Sequence, residues 1–328
     1  MGGFLACILA GAAMSIQGVM NTRLSEHIGT METNAFVQCV AAVLSLLGIA
    51  LIKERHIPET TKEDKVKVTD IFGMIKTNGA LRIRLADMLF TGFIWNFLFA
   101  TATYYAKWAY CTDLTTGAVD TAKLGTFTMV SSLLMFFPLI IGTLVGSPIM
   151  KAIGSPIRFH RILILLEFVP GGILFVLQMV GLLQSLPAVY LLCMGVCACA
   201  IGMDYIPGEV INIEAMDYEI YKNGKDRSAL CNAANKFLGK AQSAVASGLV
   251  GVILVAVGYE VDSATDTFLG ELSSIPVMLD WFIVIMGLIP FFLGLVGWLV
   301  LKRYPITDEI RADMHEKLSG TSHAAGNT

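Results

Sequence analysis

The 328-residue sequence is poor in charge: Asp, Glu, Lys and Arg together make up 15% of it, against roughly a quarter in soluble globular domains. The shortfall is concentrated, since segments 33–52, 88–106, 124–150, 168–203, 241–259 and 281–301 contain none of the four. Each meets or exceeds the ~18 apolar residues that mark a membrane-crossing helix, and 168–203 is long enough to cross twice. A soluble fold is excluded. No segment sustains period-two alternation, which excludes a membrane β-barrel. The 23 Lys and Arg are divided among short loops, leaving no extended basic face for nucleic acid.

Other signals are missing as well. The seven cysteines (Cys7, Cys39, Cys111, Cys193, Cys197, Cys199, Cys231) are odd in number and show no CxxC or Cys/His zinc spacing. They read as small packing residues, not as a disulfide or metal framework. There is no HExxH or GxSxG, and Asn223-Gly224-Lys225-Asp226 lacks the flanking residues of a phosphate loop, so neither an enzyme nor a cofactor is expected. The first cation, Arg23, follows the first apolar run; that order fits a retained first span, not a cleaved signal peptide. Met1-Gly2-Gly3-Phe4-Leu5-Ala6 lacks the Ser or Thr of a myristoylation signal.

What is present is an all-α polytopic membrane protein. Hydropathy predicts eight helices, at 4–20, 35–52, 86–106, 124–147, 161–183, 187–206, 229–257 and 280–301. Gln184-Ser185-Leu186-Pro187 reads as a tight hairpin between the fifth and sixth. Between the second and third, Asp70–Lys76 follows a potential N-cap, Thr69, and would place Ile71, Phe72, Met74 and Ile75 on one helical face. It is either a short helix on the membrane surface or a solvated linker. Twenty of the 23 cations fall in 53–85, 151–161, 222–240 and 302–317, and 259–280 carries five acids and no cation. The positive-inside rule then puts both termini and the 53–85 loop in the cytoplasm.

A few polar residues lie inside apolar helices. Lys240 falls near the bilayer midplane, where a cation either lines a polar cavity or snorkels; Lys236 is one turn closer to the cytoplasmic surface. Glu167 is the carboxylate set well inside an apolar span, three residues before Pro170-Gly171-Gly172. It faces a cavity where the helix bends, or it pairs with Lys236. Asn96 beside Trp95, and Asn232 with Asn235, could bind a hydroxylated ligand or hold helices together. Tyr104, Tyr105, Trp108 and Tyr110 read as an interfacial aromatic belt. Gly142-Thr143-Leu144-Val145-Gly146 fits a close helix contact.

Several stretches resemble the glycoside-pentoside-hexuronide:cation symporters, the melibiose-permease-like branch of the major facilitator superfamily. They are Ile52–Pro58, Ala86–Gly92, Asp204–Glu209, Met216–Lys225, Asn232–Lys240 and Tyr304–Glu309, in that order. The first 35 or so residues instead resemble the start of a small drug/metabolite-superfamily transporter, through the run Ser15–Leu24. The resemblance implies a membrane hairpin at 1–40, the end of the second helix and a cytoplasmic loop at 41–85, a six-helix major-facilitator half at 86–302 and a cytoplasmic tail at 303–328. It implies cation-coupled sugar or glycoside symport with Na⁺ or H⁺, in a bacterial cytoplasmic membrane. A homodimer or a second half-carrier would complete the transporter. A small drug/metabolite-type transporter and a non-transporting remnant are the alternatives. Lys240 matches the lysine that the family places beside its sugar and cation sites, and Glu167, Asn96 and Asn232 complete the expected cavity set.

Overall fold

The computed structural model describes residues 70–224, 226–262 and 267–325, all within one compact unit, Val66–Thr328. The expected helices at 4–20 and 35–52, the hairpin at 1–40 and Thr69 lie outside the described residues. Among the described residues the chain is helical, with no sheet. A short helix α1 (Asp70–Thr77) precedes α2 (Gly79–Tyr110), α3 (Thr121–Ile153), α4 (Pro156–Met179), α5 (Pro187–Asn223), α6 (Ser228–Ala256), α7 (Ser274–Arg303) and α8 (Asp308–Ala325). The six from α2 to α7 are long and apolar enough to cross a membrane.

Local chemistry sets the boundaries. Asn78 accepts a hydrogen bond from the Leu81 N–H at 2.9 Å and donates to the Ala215 carbonyl, so one side chain both caps α2 and ties it to α5. Asp120 caps α3, which ends on left-handed Gly154; Ser155 caps α4, with Pro156 in its first turn. The expected hairpin is present as a 3₁₀ turn, Leu183–Ser185, and Pro187 opens α5. Two helices outrun the uncharged segments that predicted them. α2 starts at Gly79, not 86, and α5 runs to Asn223, not 206. At 1.5 Å per residue α5 is about 55 Å long, well beyond the ~30 Å hydrocarbon core. Several charges in these extensions are paired with other parts of the protein, Arg84 with Asp87, Glu214 with Arg311 and Glu219 with Arg227.

Glycine draws α3 against α5. A Cβ placed on Gly142 would lie 2.3 Å from the Cys199 carbonyl oxygen, and one on Gly202 would lie 2.1 Å from that of Leu139. The GxxxG pair is therefore a backbone-to-backbone seam, closed by a hydrogen bond from the Thr143 hydroxyl to the Gly202 carbonyl at 3.1 Å. In the same way Gly171, after Pro170, lets α4 touch Gly287 in the π-helical turn of α7, Val284–Leu288.

Two findings differ from the sequence reading. Tyr105, Trp108 and Tyr110 do not form a lipid-facing belt: all three are buried and pack with Tyr190, Tyr259, Phe268 and Phe127. The loops after α2 and α6 fold over them, with the Phe268 N–H bonded to the Gly117 carbonyl. Helix α1 forms, but its apolar residues are not all on one side. Met74 is buried in a small second core with Leu81, Tyr218, Ile306 and Met314, whereas Phe72 is exposed, because two residues turn a helix about 200°. Helix α8 closes that core. Arg311 donates to both carboxylate oxygens of Glu214, and hydrogen bonds from Tyr221 and then Lys317 hold the Asp313 carboxyl below the usual carboxylate range.

Candidate functional site

Helices α2, α4 and α5 each turn a polar stripe toward one cavity of about 190 Å³, and α6 closes it. On α2, Arg84, Met88, Thr91 and Trp95 recur at helical spacing; on α4, His160 and Glu167 are two turns apart; on α5, Asp204 and Gly208 are one turn apart. Gln242 represents α6. Its side-chain amide donates to the carbonyls of Met88 at 2.6 Å and Leu89 at 3.0 Å. Gly92 makes room for it, since a Cβ there would fall 2.5 Å from Gln242 Oε1.

The charged groups form a continuous network. Arg84 donates through Nε to Asn212 Oδ1 at 2.8 Å and through Nη1 to Asp87 Oδ2 at 2.6 Å. His160 Nε2 lies 3.0 Å from the same Asp87 oxygen, and its Nδ1 meets Asp204 Oδ1. Both ring nitrogens thus face carboxylates, and both can donate only when the imidazole carries two protons. With the ring so charged, Arg84 and His160 balance Asp87 and Asp204. Two carboxylates of the lining are left over, the exposed Glu209 and the buried Glu167. The latter is 7% exposed, lines the cavity, and makes no hydrogen bond or ion pair among the described residues. Asp87 is fully buried, and its second oxygen, Oδ1, has no hydrogen-bond partner among them either. Burying polar atoms without partners costs about 1–3 kcal/mol each, more when charged. Such atoms at a cavity wall are where a proton, an ion or a polar ligand gains most.

Of the residues expected from sequence, Glu167 is in the cavity wall. Asn96 is not; its amide donates to the Gly92 carbonyl one turn back, within α2, and its neighbour Trp95 faces the cavity instead. Lys240 and Asn232 lie on the exposed side of α6, away from these lining residues. Glu167 has no ion pair with Lys236. Arg84, Asp87, His160, Asp204 and Gln242 were not singled out by sequence. Their signal was the seven-residue step from His160 to Glu167 and the four-residue steps Asp204, Gly208, Asn212, which place polar groups on one face of an otherwise apolar helix.

No curated protein matches the chain. A protein-family model does, that of the MFS/sugar transport proteins, over residues 1–308. The match takes in the first 35 residues as well as the six described spans, and it concerns the family as a whole, without singling out its melibiose-permease-like branch. Six helices able to cross a membrane, four of them lining a cavity of ionisable and amide side chains, agree with that match, and the chain belongs to the MFS/sugar transport family.

Proposed function

We propose that the protein is a cation-coupled sugar symporter of the glycoside-pentoside-hexuronide kind, in which a proton bound by Glu167 travels with the sugar. The observation that carries this reading is the unmatched, buried Glu167 carboxylate opening on the cavity. Asp87 and Asp204 are already engaged by Arg84 and His160. A buried carboxylate without partners suits a proton, whereas a metal cation needs several oxygens at once; Glu209, the other unpaired carboxylate of the lining, is exposed. Among the described residues no group of three or more His, Cys, Asp or Glu is arranged to hold a metal ion. The cavity, about 190 Å³, is smaller than the ~300 Å³ where drug-sized sites begin. Trp95 offers a flat apolar face, and Arg84, Asp204 and Gln242 offer hydrogen-bonding groups, a combination suited to a sugar ring. Lys240 and Asn232 on the exposed face of α6, and Asn96 within α2, are secondary contributors in this reading.

The cation distribution supports both termini inside, and the family resemblance a bacterial cytoplasmic membrane. Residues 86–302 act as a six-helix half in this reading. A second copy or another half-carrier faces the exposed polar side of α6, where Asn232, Lys236 and Lys240 lie.

Sugar uptake into proteoliposomes under an imposed inward proton gradient tests the coupling. The parent is expected to accumulate sugar above equilibrium. Glu167→Gln is expected to exchange sugar without accumulating it, and Lys240→Gln to accumulate it at a reduced rate. Proton-driven accumulation by Glu167→Gln, or accumulation driven by Na⁺ alone, would overturn the reading.

A further inference from the structure

Adjacent residues on α4 face opposite ways. His160 is buried in the charged network, while Arg161 turns outward and lays its guanidinium over the Trp298 ring of α7, 4.6 Å from the centroid. Lys302, one turn after Trp298, places its ammonium 4.3 Å from the same ring. Two cations thus converge on one indole, and neither has a carboxylate partner among the described residues. Arg161 Nε is buried there with no hydrogen-bond partner among them. Arg161 sits about 7 Å from the start of a 24-residue span, and Lys302 is one residue from the end of α7, so both belong at the headgroup edge of the bilayer. On the membrane side of the cations the surface is apolar: Ile162 is 48% exposed, Leu299 46% and Val296 39%.

We infer that this seam between α4 and α7 is a binding site for an anionic phospholipid. The phosphodiester lies between the Arg161 guanidinium and the Lys302 ammonium that flank the Trp298 ring, and an acyl chain runs along Ile162, Leu299 and Val296. Charge complementarity selects the occupant. Like charges brought together over one ring repel, and an anion between them removes the repulsion; the apolar strip beneath provides what a lipid has and a free phosphate lacks. The inference stands apart from sugar coupling and does not depend on Glu167.

The test is electron spin resonance of the full chain in phosphatidylcholine bilayers containing spin-labelled phosphatidylglycerol or phosphatidylcholine. The parent is expected to immobilise the anionic lipid preferentially. Arg161→Gln with Lys302→Gln should abolish the preference, roughly five-fold per cation removed. Lys302→Gln alone, at an exposed position that folding does not need, should lose its share, and Lys302→Arg should keep it. Lys151→Gln, at an exposed cation on α3, should leave the preference unchanged. Equal immobilisation of both lipids by the parent, or an undiminished preference after the double change, would overturn the site. Inorganic phosphate at millimolar concentration should not displace the lipid, and full displacement would overturn the assignment to a lipid.

Discussion

The bundle of α2, α4 and α5 buries polar atoms at both ends, by opposite means. At one end Tyr105, Tyr110 and Tyr190 are buried, and each hydroxyl finds an acceptor: Gln178 Oε1 at 2.7 Å, the Leu183 carbonyl at 3.1 Å and the Ala102 carbonyl at 3.1 Å. Gln178 in turn donates to Asp280 at 2.8 Å. At the other end Arg84, Asp87 and His160 are just as buried, yet Asp87 Oδ1 and Glu167 are left without partners among the described residues. The aromatic end leaves the Trp108 indole N–H without a partner among the described residues, but that is a neutral donor packed among rings, whereas the groups left over at the charged end are carboxylates and Glu167 borders a cavity. The aromatic end is organised for packing, and the charged end keeps capacity in reserve.

Mutations can break this comparison. The largest expected effect is Asp87→Ala, which strands Arg84 and His160 inside the protein and should cost about 3–5 kcal/mol in detergent unfolding. A cost under 1 kcal/mol would mean that the network adds nothing to the fold. Trp108→Ala should cost a similar amount, about 3–5 kcal/mol, by leaving a cavity among Tyr259 and Phe268, but should leave the proton dependence of uptake as it is. Tyr105→Phe removes one hydrogen bond to Gln178 and should cost about 1 kcal/mol with little change in transport. The smallest effect on stability belongs to Glu167→Gln, expected to be near zero because the change is nearly isosteric and Glu167 makes no hydrogen bond or ion pair among the described residues that would be lost. That variant should show the largest loss of coupled uptake. If Glu167→Gln unfolds as readily as Asp87→Ala, the division between the two ends fails.

The six described spans were legible because a membrane demands long uncharged runs. The same criterion hid most of the site, since it sets helix boundaries near clusters of charge. Arg84 and His160 fell just outside the expected helices 86–106 and 161–183, and Asp87 and Asp204 at the ends of 86–106 and 187–206, although all four lie within α2, α4 and α5. Glu167 escaped because apolar residues flank it on both sides. Lys240 illustrates the complementary error: its depth along α6 is readable from sequence, but the direction it faces is not. Gln242, about 200° further round the helix, is the residue that meets α2. The tyrosines and Trp108 were read as a belt because position at a helix end says nothing of loops folding back over it.

The seam between α3 and α5 has a mechanical consequence. Where backbone meets backbone there are no rotamers to rearrange, so the contact at Gly142, Gly146 and Gly202 cannot slip by repacking as a side-chain interface can. Sliding by one helical turn would drive the Leu139 carbonyl into Ala198 or Ile206, which carry a Cβ where Gly202 has none. The two helices are bound to travel as a single strut, with Asp204 fixed to it. A rearrangement that opens the cavity falls to α2 and α6, which pack mainly through side chains, and to α4 and α7, joined to each other at Gly171 and Gly287 beside the π turn.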